Sequence, residues 1–448
     1  MSLKKNNNHN SLVFAVCLLS PILAGVLRKT LPGQPVYADA LPALLPLLIG
    51  VNTLLSKNKV KMKRQIIGPL FGWALFQTIF AIFAIQNEIL VGISAIFTRI
   101  CPMFMTIIAF NSIKKENDLQ TVSYLASILI LIMLPFGLYS SIYGNSALPT
   151  FFRPIDIITI AKRDEREGLS SFAGLFSSQW ILSISCLSIL YLLLTQFFLG
   201  KKSAKETIWW AIAAASTLAL IYFSTRRGAF LMGLFGLAFV LFKTIDLKKQ
   251  KGKRSRSNLI IGIVVVMSIM YFLANNIDKY AVKENDGKNK ISRSSWVLSK
   301  KETSMYDRLE RVFIPITIEW AGYTPFGKYL GYGGPEVRAF KILGYREYTD
   351  YVEVGSAQLV AEMGIAGTII MPLLIILVIV RVYRLSRKSK YEKAISLLLL
   401  YMIIVFSLYY TKESLVLVNV SVCSLFFWSV PGICAALLKF EKIELKNN

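Results

Sequence analysis

The stretch YFSTRRGAFL, residues 222–231, sets two adjacent arginines between apolar runs, with Gly228 directly after them. A guanidinium carries a planar fork of N–H donors that matches a phosphate in a bidentate way. Arg226 and Arg227 are therefore candidates for holding an anion, and Gly228 would let a bulky one approach the backbone. The plainer alternative is that both snorkel to lipid phosphates. Arg163 and Arg166 precede another apolar run, Arg308 and Arg311 stand one turn apart on a helix-patterned stretch, and Arg99 lies inside an apolar run. An arginine within a membrane span is costly and marks a functional position by default. Arg99 can equally be the structural partner of Glu88 or Glu362, and Arg308 and Arg311 can pair with Asp307 and Glu310. Other chemistries have little to stand on. The one histidine, His9, lies in the polar amino-terminal tail, which argues against a His-based metal centre or general base. The five cysteines each fall in an apolar stretch, so neither a disulfide framework nor a ligand set is implied. No clustered carboxylates suggest a divalent-metal site, and no cofactor is expected.

The elements that must position these arginines are membrane helices. Of 448 residues, 54% are hydrophobic and 17% charged, and the mean hydropathy is +0.54. Stretches long enough to cross the hydrocarbon core are expected at 11–27, 40–56, 66–85, 90–110, 120–142, 171–199, 208–224, 229–245, 259–274, 356–380, 394–410 and 414–438. The fold class is thus an all-α polytopic membrane protein with about twelve transmembrane helices and one large, partly helical outer loop. Lys4 and Lys5 with Ala38-Asp39-Ala40 imitate a signal peptide, but the last three lie too far beyond the apolar run, and the first helix is expected to be a retained anchor.

The connectors KNKVKMKR (57–64), KKQKGKRSR (248–256) and RVYRLSRKSKYEK (381–393) fall on one side in this count. Basic short loops stay in the cytoplasm, so both termini are expected there. That side carries 28 Lys and Arg against 7 Asp and Glu, most of the +25 net charge. The charge is then an orientation signal with attraction to membrane lipids, and no nucleic acid is implied. Arg226 and Arg227 land on the outer face, where the charge rule disfavours them. Two longer outer segments run from about 143 to 170 and from about 275 to 355. The second divides the chain into 1–274 with nine helices, the loop 275–355 with catalytic elements, and 356–448 with three helices.

Four segments in order resemble the bacterial O-antigen ligase and O-antigen polymerase superfamily. SFAGLFSSQW (171–180) is similar to its Gly-x-Phe segment, with Ser177-Ser178-Gln179 where Pro-Asn usually follows. STRRGAFL (224–231) resembles its Ser-Arg-Gly element. RLERVFIPITIEWAGYTPFGKYLGYGG (308–334) resembles its Arg, Trp and Pro-x-Gly pattern through Trp320, Pro325 and Gly327. EVGSAQLVAEMGIAG (353–367) resembles the entry to the next span, with Glu362, Gly364 and Gly367 in place. Ligases of the family often carry a histidine nine residues before that glutamate; here the position is Glu353.

The resemblance implies a metal-independent glycosyltransferase in the bacterial plasma (inner) membrane, with its active site on the outer face. It would move glycan from an undecaprenyl diphosphate carrier to an acceptor sugar hydroxyl, with inversion. Arg227 and Arg308 would stabilise the leaving diphosphate, assisted by Arg226, Arg311, Arg166, Arg163 and Arg99. Glu353 would act as general base, ahead of Glu319 and Asp350. Trp320 would stack on a sugar, although aromatics are also normal at a membrane interface. The partners implied are the lipid-linked donor, a glycan acceptor, membrane lipids, and as candidates a flippase and a chain-length regulator. The reading is a polymerase of lipid-linked repeats. A ligase acting on a lipid or protein acceptor, and a flippase or other transporter, remain as alternatives.

Overall fold

The computed structural model describes residues 8–30, 40–55, 62, 64–143, 148–149, 152, 172–176, 178–200, 202–224, 226–245, 326–332, 354–411, 415–418 and 420–447. Among them no strand occurs, and the chain is a succession of helices: α1 (Asn8–Thr30), α2 (Leu41–Leu55), α3 (Arg64–Asn87), α4 (Ile89–Ala95), α5 (Met105–Ser112), α6 (Glu116–Tyr143), α7 (Gln179–Thr195), α8 (Ala204–Phe223), α9 (Arg227–Ile245), α10 (Gly355–Ser386), α11 (Glu392–Thr411), α12 (Leu415–Val418) and α13 (Val422–Asn447). Nine segments among the described residues are long and apolar enough to cross a membrane, and Leu41–Leu55 and Gly228–Thr244 are shorter apolar helices. Together they fall on every expected span but 259–274, which lies outside the described residues. The protein is an all-α, multi-pass membrane protein.

Three spans differ from expectation in local form. The sixth begins at Gln179, not at 171, because Ser178 caps it by accepting the Ile181 amide and residues 172–176 turn around Gly174 at φ 61°. The last is divided into α12 and α13. The fourth is a composite: α4 passes into a wide π turn at Ile96–Ile100, a 3₁₀ turn at Cys101–Phe104, and then α5. Pro102 has no amide to close the helical ladder on the Thr98 carbonyl, and the Cys101 amide reaches back to Ile96 instead. Of the large loop, 326–332 is described together with its end at 354–355.

The chain forms two compact units. The first comprises 1–18, 40–118 and 302–448. Within it α13 lies on α5 so closely that a Cβ at Gly432 would stand 2.1 Å from the Thr106 carbonyl oxygen, and the Thr106 hydroxyl donates to the Trp428 carbonyl. Small residues at such crossings let helix backbones approach where lipid supplies no hydrophobic drive. At the connector between α10 and α11, the Tyr391 hydroxyl donates to Glu116 Oε1 at 2.5 Å and the Lys390 amide donates to Glu441 Oε1 at 2.7 Å. Burial, and then Glu116, hold the Tyr391 phenol above its ordinary value of 10.0. Its contribution to stability is therefore complete below about pH 10 and is lost as pH rises through the raised value. Tyr391→Phe should lower stability by about 1.5–3 kcal/mol at neutral pH, read by thermal unfolding, and should flatten the decline that begins above about pH 10; unchanged unfolding at neutral pH would remove the role of this bond.

The second unit comprises 19–39 and 119–301. Its centre is α7, whose residues from Leu182 to Thr195 are all buried, as expected of a helix apolar on every face. Gly236 of α9 rests against the Tyr191 ring, and the Tyr191 hydroxyl donates to the Met232 carbonyl at 3.0 Å. On the α6 side, Trp209 stacks on Tyr124 with centroids 5.2 Å apart and donates from Nε1 to Ser127 Oγ at 3.0 Å. A capping box between Ser203 and Glu206 starts α8.

Candidate functional site

In the first unit, α10 is interrupted inside the apolar run. Gly364 has φ 67° and ψ −165°, a region open essentially to glycine alone, so the helix breaks two residues after Glu362. The break frees the Ala361 carbonyl, and the Lys328 amide donates to it at 3.0 Å. Lys328 belongs to the segment FGKYLGY, 326–332, which inserts here. Gly327, at φ 67°, approaches so closely that a Cβ would stand 2.5 Å from the Gly364 nitrogen and 2.6 Å from both the Glu362 carbonyl carbon and the Met363 nitrogen. The Leu330 amide donates to the Phe80 carbonyl at 3.4 Å, and a Cβ at Gly331 would meet Val91 of α4 at 2.8 Å. Tyr329 donates its hydroxyl to Glu88 Oε1 at 2.8 Å. It meets the Tyr332 ring edge-on at 5.2 Å, while Lys328 Nζ lies 4.7 Å over that ring. Segment and helix break thus complete one another's backbone bonding, the condition for irregular chain at membrane depth.

Beneath the segment lies a charged pair. Arg99, carried by the π turn, and Glu362 form a two-pronged ion pair. One prong joins Nη1 to Oε2, and in the other Nη2 donates to Oε1 at 2.6 Å. Gln358, one turn earlier on α10, donates to Glu362 Oε1 at 2.9 Å, and its own Oε1 is buried without a hydrogen-bond partner among the described residues. Arg99 is 4% exposed and Glu362 0%. π turns recur at functional sites, and here the wider turn carries the arginine that meets Glu362. Of the two carboxylates weighed for Arg99, its partner is Glu362, while Glu88 receives Tyr329.

In the second unit, Arg226 precedes α9 and accepts the Phe230 amide on its carbonyl. It is half-buried, and its Nε is buried without a hydrogen-bond partner among the described residues. Arg227 is the first residue of α9, described through its backbone. Arg163, Arg166, Arg308, Arg311, Trp320 and Glu353 lie outside the described residues, as do Glu319 and Asp350. The structure therefore brings together Arg99, Glu362, Gly364 and Gly327 from the sequence-derived set. Sequence reasoning passed over Gln358, whose spacing of four from Glu362 was the available signal, and the Glu88–Tyr329 bond, which had none. It also passed over Lys29, at the end of the first apolar run. No protein-family model matches the chain, and no curated protein matches it.

Proposed function

We propose that the protein is a membrane glycosyltransferase that polymerises lipid-linked oligosaccharide repeats on the outer face of a bacterial plasma membrane. The observation that carries this reading is the docking of Gly327 on the Glu362–Gly364 break. The two segments resemble separate elements of the O-antigen polymerase and ligase superfamily, and in this chain they meet in one built arrangement. Its setting among apolar helices suits a reaction between lipid-borne substrates.

In the proposed reaction the acceptor sugar hydroxyl attacks the anomeric carbon of the donor glycan. Glu353, two residues before the half-helix 355–363, takes the hydroxyl proton. The anomeric C–O bond breaks on the opposite face, the electron pair leaves with the undecaprenyl diphosphate, and the configuration inverts. Arg227, with Arg308, Arg226 and Arg311, receives the developing phosphate charge, the electrostatic work that fixed donors do best. A glutamate at position 353 favours the polymerase over a histidine-dependent ligase.

Deleting the gene and examining the surface glycan tests the reading. Single repeats still attached to their acceptor support a polymerase; long chains left on the lipid carrier would replace it with a ligase. With purified protein and lipid-linked repeats, Arg227→Ala should lower turnover by roughly 100-fold or more. Full turnover in that variant would remove the diphosphate role.

A further inference from the structure

In the second unit, α8 and α9 follow one another through the short link 224–226, and each packs on α7. Toward that link they lie close: a Cβ at Gly233 of α9 would stand 3.0 Å from both Leu218 of α8 and Leu190 of α7. Toward their other ends they part, because α8 presents Ala211, Ala214 and Ala215, whose short side chains leave space before Leu237 of α9. Leu194 of α7 and Phe197 just beyond it complete an apolar groove of about 310 Å³, its open side included. Exposed Ile208 and Ile212 on α8, and Phe235 and Phe242 on α9, flank it. From Ala211 to Leu218 it follows about 10 Å of helix, within the roughly 15 Å of hydrocarbon that belongs to one leaflet.

The open end carries the charge. Lys202 is held there from two sides: its Nζ donates to Gln196 Oε1 at 3.2 Å and lies 5.0 Å over the Trp210 ring. Gln196 directly precedes Phe197 and Trp210 directly precedes Ala211, so the ammonium is fixed beside two residues that line the groove. Gln196 is itself buried and donates from Nε2 to Ser123 Oγ at 2.7 Å, which sets the amide oxygen toward the lysine. Lys205 is exposed at the same end, and Lys243 stands in the last turn of α9. The carboxylate among them, Glu206, is engaged by the Ser203 capping box and by Gln120 Nε2 at 3.3 Å. Trp209 and Trp210 lie between the cations and the groove, as aromatics do at the level of lipid headgroups. Basic pockets between membrane helices bind anionic headgroups. A helix with its side chains is about 10 Å across, too wide for a groove of this volume and length, whereas one hydrocarbon chain fits.

We propose that the groove between α8 and α9 holds an acyl chain of an anionic phospholipid whose phosphate lies at Lys202 and Lys205. The chain enters from the side expected to be cytoplasmic and fills the divergence of the two helices that carry Arg226 and Arg227 at their other end. Such a site needs nothing of the proposed transferase and stands or falls apart from it.

The test uses the full-length protein in nanodiscs containing phosphatidylglycerol with a photoreactive diazirine on one acyl chain. Label should concentrate on Ala211, Ala214, Ala215 and Leu237 over Phe71 of α3, which is exposed as a lipid-facing residue is. Lys202→Gln with Lys205→Gln should lower the phosphatidylglycerol retained through detergent purification, counted by native mass spectrometry, about 10-fold or more. Ala215→Leu, which fills the groove, should abolish the label there. Groove residues of the unaltered protein labelled no more than Phe71 would overturn the site, whatever the folding of the variants. Equal retention of phosphatidylcholine, or unchanged retention in the folded lysine variant, would overturn the anionic headgroup. Retention of undecaprenyl phosphate in place of phosphatidylglycerol would overturn the phospholipid as occupant.

Discussion

Gly327→Ala is expected to release the 326–332 segment from the first unit. An L-residue at φ 67° bears about 1–2 kcal/mol of strain, and the larger effect is steric. The new Cβ would lie 2.5 Å from the Gly364 nitrogen, with the Glu362 carbonyl carbon and the Met363 nitrogen at 2.6 Å. These are backbone atoms that no rotamer change moves aside, so segment and half-helix must separate. Separation leaves the Ala361 carbonyl without the Lys328 amide and the Leu330 amide without the Phe80 carbonyl. In an apolar surrounding each orphaned group costs several kcal/mol. Hydrogen exchange reads the change directly, because the Lys328 and Leu330 amides are bonded in the docked state. Their exchange should accelerate by about 100-fold or more in the variant, and the proposed glycan polymerisation should fall with it. Wild-type protection of both amides in Gly327→Ala would show that the interlock does not hold the segment.

The same site shows what a sequence makes legible in a membrane protein. Spans were readable because the bilayer demands long apolar runs, and the helices follow them to within a few residues, except where a cap or turn shifts a start, as at Ser178. Breaks inside spans were not readable. Gly364 sits in a continuous apolar pattern, and glycine is common in membrane helices; only the arrival of Gly327 explains why this one takes φ 67°. The π turn under Arg99 follows from Pro102, a visible residue, but a proline can equally kink a helix. Arg99 was legible as a costly charge that needed a reason, while its choice between Glu88 and Glu362 depended on helix packing. Nothing in the sequence marks Lys29, at the end of an apolar run; its contact with Gly174, which ties it to the turn before α7, depends on packing. Arg226 and Arg227 are prominent for the opposite reason, since the side of the membrane expected for them conflicts with the charge rule.

Glu362→Gln is expected to cost about 3–5 kcal/mol, because it leaves the Arg99 guanidinium buried beside a neutral amide. Arg99→Ala should cost a similar amount by stranding the carboxylate, which among the described residues would keep only the Gln358 donor. The two losses should not add. Replacing both residues, as Arg99→Met with Glu362→Leu, removes the charges along with their desolvation and should return thermal unfolding to near the wild-type temperature. The cycle also separates the two roles that an intramembrane arginine can have. A pair that only anchors the half-helix 355–363 to the π turn can be replaced by apolar packing with little loss of turnover. A pair whose charges align that half-helix electrostatically, and with it the preceding Glu353, would regain stability in the double variant without regaining turnover. The two-pronged geometry with Gln358 as third donor favours the second outcome, since a contact needing only adhesion would not require three aimed donors on one carboxylate. Recovery of both stability and turnover would make the pair an anchor alone, and additive destabilisation would show that the two residues do not act as a pair.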